Sequence, residues 1–172
     1  MKKLTDRILA GLVVAMSVAL VWVVALTLPD GVVRVGDKAP DFKVVTENGK
    51  TITLSNFGGK LLVLNFWASW CEPCRAEVPS LERFQREFGR QGVVVLGVSV
   101  DKFDKNYRGF LDQFPVSFEV SHDPAWDIAS TYGTFQLPET YVIDSSGKVV
   151  QKIISAQDWM DPEFLQSVRK ML

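Results

Sequence analysis

Polar and apolar positions alternate, run together and recur along this chain in a way that marks out its elements. Phe42-Lys43-Val44-Val45 and Thr51-Ile52-Thr53-Leu54 alternate on either side of Glu47-Asn48-Gly49-Lys50, the pattern of a hairpin with turn residues at its tip. Leu61 to Trp67 is almost continuously apolar, as a strand buried on both faces must be, and Val93 to Val98 repeats that pattern. Between them, Val78, Leu81, Phe84 and Phe88 fall on one face of a helix over about 72–88, ended by Gly89 and carrying Pro79 as an expected kink. Further on, the pattern predicts a helix near 104–114, a short strand near 118–120 and a helix from after Asp123-Pro124 to about Tyr132. A second hairpin, 140–144 with 148–154, turns at Ser145-Ser146-Gly147. Asp161-Pro162-Glu163 then opens a last helix, with an N-cap and a proline in its first turn, that buries Phe164, Leu165, Val168 and Met171. Buried strands alternating with helices and closed by a hairpin and helix specify an α/β sandwich, a mixed sheet covered on both faces.

The N-terminus follows a different pattern. Ile8 to Leu28 is apolar and uncharged, preceded by Lys2, Lys3 and Arg7. At about 1.5 Å per residue the run matches a hydrocarbon core of about 30 Å, and it exceeds the roughly 7–15 apolar residues of a cleaved signal. The expectation is a single-pass anchor over 8–28 with residues 1–7 cytoplasmic, a tether over 29–35 and a domain over 36–172 on the outer side of the cell membrane. That remaining length suits one monomeric domain. A net charge of −1, with both signs interspersed, removes nucleic acid as a partner.

The chain has two cysteines, in Trp67-Ala68-Ser69-Trp70-Cys71-Glu72-Pro73-Cys74-Arg75. A bridge across so short a loop removes little unfolded-state entropy, so its use is chemical. Cys71 follows a buried strand and opens a helix, where unpaired amides lower its pKa, which makes it the exposed attacking thiol; Cys74, one turn on, resolves the mixed disulfide. Pro73 stiffens the first turn. Glu72 opposes thiolate formation and so favours a reducing couple. Glu77, three positions after Cys74 on the same helical face, is the nearest acid/base for the Cys74 proton, since the central strand offers only Asn65. Two cysteines and the lone His122, read as an incidental loop residue, are too few ligands for a closed metal site. The local sequence leaves the Leu137-Pro138 bond open between cis and trans.

The cysteine motif, Leu137-Pro138-Glu139-Thr140-Tyr141-Val142-Ile143-Asp144-Ser145-Ser146-Gly147 and the opening Val35-Gly36-Asp37-Lys38-Ala39-Pro40-Asp41-Phe42 together resemble the thioredoxin superfamily, and within it the membrane-tethered ResA/TlpA-like thiol–disulfide oxidoreductases. The resemblance implies a thioredoxin-like fold with an N-terminal hairpin and an inserted strand–helix unit. It also implies a cis Pro138 packed against the cysteines and a Leu137 backbone that pairs with a substrate strand beside Trp70. By the same resemblance Glu77 tunes the cysteines, apocytochrome c is the client to be reduced, a transmembrane thiol carrier supplies the electrons, and the redox disulfide serves in place of any cofactor. The weaker readings are a general oxidant or isomerase on the same residues, a thiol peroxidase, and a non-enzymatic metallochaperone.

Overall fold

The computed structural model describes residues 2–27 and 31–172; on the first helix it describes the side chains at 7, 8 and 10–24. The chain forms two compact units, Met1–Val32 and Val33–Leu172. The first is the helix α1 (Lys2–Thr27), whose described apolar side chains, Leu12 and Trp22 among them, are exposed. The predicted membrane-spanning helix over 8–28 is not upheld: among the described residues no helix is long and apolar enough to cross a membrane. Position 28, the end of the expected anchor, and positions 29 and 30 of the expected tether lie outside the described residues.

The second unit is the predicted α/β sandwich. Its strands are β1 (Lys43–Val45), β2 (Thr51–Thr53), β3 (Leu61–Trp67), β4 (Val93–Ser99), β5 (Glu119–His122), β6 (Glu139–Asp144) and β7 (Val149–Ile154). Its helices are α2 (Glu72–Phe88), α3 (Asp104–Gln113), α4 (Asp127–Thr131) and α5 (Pro162–Met171). β1 and β2 pair as a separate antiparallel hairpin. The main sheet has the order β5-β4-β3-β6-β7, with β3, β4 and β5 parallel and β6 and β7 antiparallel to their neighbours. β3 lies in the middle, and all seven of its residues are buried.

Its period of two divides the core. Leu61 and Val63 join Leu81, Phe84 and Phe88 of α2 and Trp159, Phe164 and Val168 at α5. Leu62, Leu64 and Phe66 join Tyr132, Tyr141, Ile143 and the hairpin residues Val44, Ile52 and Leu54. Asn65 shares the parity of Leu61 and Val63, so the one amide in this apolar strand points toward α2.

Two local readings change. α4 begins at Asp127 rather than directly after Pro124, because Asp123 caps it from outside: its carboxylate accepts the amides of Asp127, Ile128 and Ala129 at 2.9–3.1 Å. The residues before Gly36 already belong to the domain, for Val33 is buried, its amide donates to the Tyr132 carbonyl at 3.2 Å, and Gly36 donates to Val149.

Candidate active site

The end of β3 and the start of α2 place the cysteines. The chain turns at Ala68–Cys71, closed by the Cys71 amide on the Ala68 carbonyl at 3.1 Å, and Cys71 becomes the N-cap of α2 with extended backbone (φ −85°, ψ 104°). Its sulfur accepts the Cys74 amide at 3.2 Å, the place a serine or aspartate oxygen takes in an ordinary cap. A charge developing on that sulfur therefore meets a backbone N–H and the positive end of a 17-residue helix. The two sulfurs are joined, with Cα atoms 5.3 Å apart.

Cys71 is not the exposed thiol that its position suggests. It is 5 % exposed and Cys74, the less open of the two as expected, 1 %; Trp70 carries the exposure instead, at 65 %. Glu72 is fully in solvent, and its carboxylate lies 4.0 Å from the Arg75 guanidinium. A screened and paired charge opposes thiolate formation less than sequence neighbourhood implies.

Glu77 is buried. Its Oε1 accepts from Asn65 Nδ2 at 2.8 Å, and its Oε2 accepts from the Gln157 amide and from Trp159 Nε1, both at 3.3 Å. Asn65 Nδ2 also donates to Thr140 Oγ1 at 2.9 Å. Burial pushes the Glu77 carboxyl above the ordinary range, against the pull of these three hydrogen bonds. Asn65 and Cys74 line one small cavity with Trp67, Val78, Phe110 and Phe118, while Glu77 itself borders a surface groove with Ser80, Arg83 and Gln157. Asn65 thus links the carboxylate to the apolar space that Cys74 also lines.

The Leu137-Pro138 bond is cis, as the resemblance implied. Glu139 follows it and pairs in register with Phe66 of β3, which brings the proline loop alongside the strand that delivers the cysteines. The Pro138 carbonyl accepts from Ser155 at 3.0 Å. Leu137 takes part in no main-chain hydrogen bond among the described residues, so its peptide groups stay open to an incoming strand.

Two groups beside the site escaped the sequence reading. Glu139 is fully buried, with Oε1 2.7 Å from Lys152 Nζ and 3.0 Å from the Tyr141 hydroxyl, while Oε2 has no partner among the described residues. Lys152 also donates to the Val33 carbonyl at 3.1 Å; burial alone would lower its pKa, but the contacts with Glu139 and Tyr141 together outweigh it and the value is raised. Trp159, which the sequence pattern did not single out, supplies one of the donors to Glu77. Its signal is its spacing from the last helix, and nothing nearby in sequence names Glu77 as its acceptor. His122 lies at the end of β5 rather than in a loop. No group of three or more metal-ligating side chains occurs among the described residues.

A reversible dithiol at a helix N-terminus, a buried carboxylate on the inner face of that helix and a cis proline just before the strand paired with β3 define a thiol–disulfide oxidoreductase of thioredoxin type. Residues 35–152 match the AhpC/TSA family. The chain is 36 % identical over 124 residues to the thiol-disulfide oxidoreductase ResA of Bacillus thuringiensis subsp. konkukian, covering 72 % of each protein. It is 32 % identical over 163 residues to the ResA of Oceanobacillus iheyensis, covering 90 % of this chain and 85 % of that one. Among solved structures, a protein described as a putative thiol:disulfide interchange protein DsbE from Chlorobium tepidum superposes with a TM-score of 0.74 at 32 % identity, over 81 % of this chain and 98 % of that one. The chain belongs to the AhpC/TSA family of the thioredoxin superfamily and, within it, to the ResA-like thiol–disulfide oxidoreductases.

Proposed function

We propose that the protein is an extracytoplasmic reductant of protein disulfides, with apocytochrome c as its first client, recharged by a transmembrane thiol carrier. It acts as a monomer with no cofactor or metal beyond its own cysteines. The observation that carries this reading is Glu77, a carboxylate on the buried face of the active-site helix whose pKa burial raises above the ordinary range. Likeness to the ResA proteins supports the direction and the client, and basic residues ahead of a long apolar run, features of exported chains, support the compartment.

In the reduced protein, the Cys71 thiolate attacks one sulfur of the client disulfide and a bond forms between them. The client's other sulfur leaves as a thiolate and takes a proton from solvent. Glu77 then accepts the Cys74 proton, and Cys74 attacks Cys71, closing the protein's own disulfide and releasing the second client thiol. Two electrons pass to the client, and the carrier's dithiol returns them by the reverse exchange. Cys74→Ala stops the sequence after the first attack, so mixed disulfides accumulate on Cys71. Proteins bearing the haem-attachment Cys-x-x-Cys-His motif are the expected captures, and a trapped set without any of them removes the cytochrome assignment.

A further inference from the structure

Asp101 stands just beyond β4 and is completely buried. Its Oδ1 accepts from Ser69 Oγ at 2.7 Å, and its Oδ2 accepts from the Ser69 amide and from Ser99 Oγ, both at 2.9 Å. These donors are neutral, and among the described residues no basic side chain lies within ion-pair distance of this carboxylate. A carboxylate taken out of water without a cation is costly, which makes this a poor device for stability alone. Two of its three bonds go to Ser69, inside the turn that delivers Cys71. The neighbouring amide of Val100 donates to the Trp67 carbonyl at 2.9 Å, so the loops after β3 and β4 are tied at two successive points.

His122, the chain's one histidine, holds Asp101 from the other side. Its Nε2 lies 2.6 Å from the Asp101 carbonyl, and because a carbonyl only accepts, Nε2 carries the proton. The ring is itself fixed: it stacks on Tyr107 with centroids 4.6 Å apart and planes 9° from parallel, and its Nδ1 faces the Asp104 carboxylate at 3.8 Å.

We infer that Asp101 and His122 are positioning residues for the exchange reaction, the carboxylate fixing the Ser69–Cys71 turn and the imidazole fixing the main chain that carries the carboxylate. The inference rests on reading Cys71 as the attacking thiol. Its consequence is physical: the Cys71 sulfur gains thiolate character only while it sits at the N-cap within reach of the Cys74 amide, and a loosened turn gives up that geometry.

The test is the pH dependence of iodoacetamide alkylation, in full-length protein carrying Cys74→Ala so that Cys71 is the only thiol. Ser69→Ala removes one hydroxyl from the carboxylate and leaves the fold's apolar contacts alone. His122→Phe keeps a ring to stack on Tyr107 but loses the Nε2 donor, and His122→Gln returns a donor. Ser69→Ala and His122→Phe are expected to alkylate three- to tenfold more slowly at neutral pH, with the rate profile displaced to higher pH, and His122→Gln to recover to within about twofold. Unchanged profiles in Ser69→Ala and His122→Phe overturn the inference, whatever happens to the melting temperatures; should His122→Phe not fold, Ser69→Ala alone decides. Alkylation needs no client. If alkylation behaves as expected while the protein with both cysteines reduces no protein disulfide, the positioning role stands and the reductant reading falls instead.

Discussion

Glu77 shows what one buried ionisable residue does at once for stability and for chemistry. Its folded-state pKa is raised by burial, so the folded protein favours the protonated carboxyl. The stabilisation is complete below the ordinary value of 4.5 and is lost as pH rises through the higher folded value. Denaturant unfolding of the oxidised protein should therefore show wild type losing stability relative to Glu77→Gln over that rising interval, and equal slopes for the two would sink the assignment. The same substitution removes the base for Cys74, and a general base contributes about 10²-fold or more, so single-turnover reduction of a model disulfide should slow by at least that factor. Cys71, Cys74 and Glu77 were legible because spacing on one helix is a local property. The burial of Cys71, the pairing of Glu72 with Arg75, and the partners of Glu77 were not, since Gln157 and Trp159 reach that carboxylate across 80 and 82 positions. Asn65, a polar residue inside an apolar strand, was a visible irregularity, whereas Asp101 and Glu139 drew no reading from the sequence. Sequence alone marks Asn65 as an exception without saying what it faces.

At the scale of elements, the segment between β7 and α5 does more than connect them. Ser155 donates to the Pro138 carbonyl, Gln157 and Trp159 donate to Glu77, and Ser80 Oγ on α2 accepts the Trp159 amide at 3.2 Å. One short stretch thus touches the proline loop, the carboxylate and the active-site helix. Trp159→Phe keeps a ring against Phe84 and Phe164, whose centroids lie 5.7 and 5.2 Å away, and removes only the Nε1 donor. The loss is expected to cost about 1–2 kcal/mol of stability by denaturant titration. Because that donor lowers the Glu77 pKa, its removal raises the value further, and the inflection in the exchange rate should move to higher pH; an inflection that stays put or falls contradicts the wiring. Apolar periodicity was enough to find the strands and helices of the domain. It failed where a side chain reorganised the backbone: Asp123 gathers three amides and Trp126 adopts a left-handed φ of 61°, which delays α4 by a few residues.

For the whole molecule, the question is where the domain begins. The opening motif at Val35-Gly36 invites a boundary there, yet the structure seals the unit with residues that precede it. Val33 is buried, its amide meets the Tyr132 carbonyl, and its own carbonyl accepts from Lys152, whose charge balances the buried Glu139 next to Pro138. A chain starting at Val33 retains this closure, and one starting at Gly36 leaves an apolar slot open and removes one acceptor from a buried ammonium. The shorter chain should be less stable by about 1–3 kcal/mol, the sum of a partly buried valine and one charged hydrogen bond. Both retain Cys71, Cys74, Glu77, Asp101 and His122 in the same unit. Their rates with a small disulfide should therefore agree within about twofold under conditions where both are folded. Equal unfolding midpoints and slopes for the two chains would show that residues 33–35 are a tether after all. A large rate difference at equal stability would show that the N-terminal strap reaches the site through Lys152 and Glu139, beyond simply closing the core.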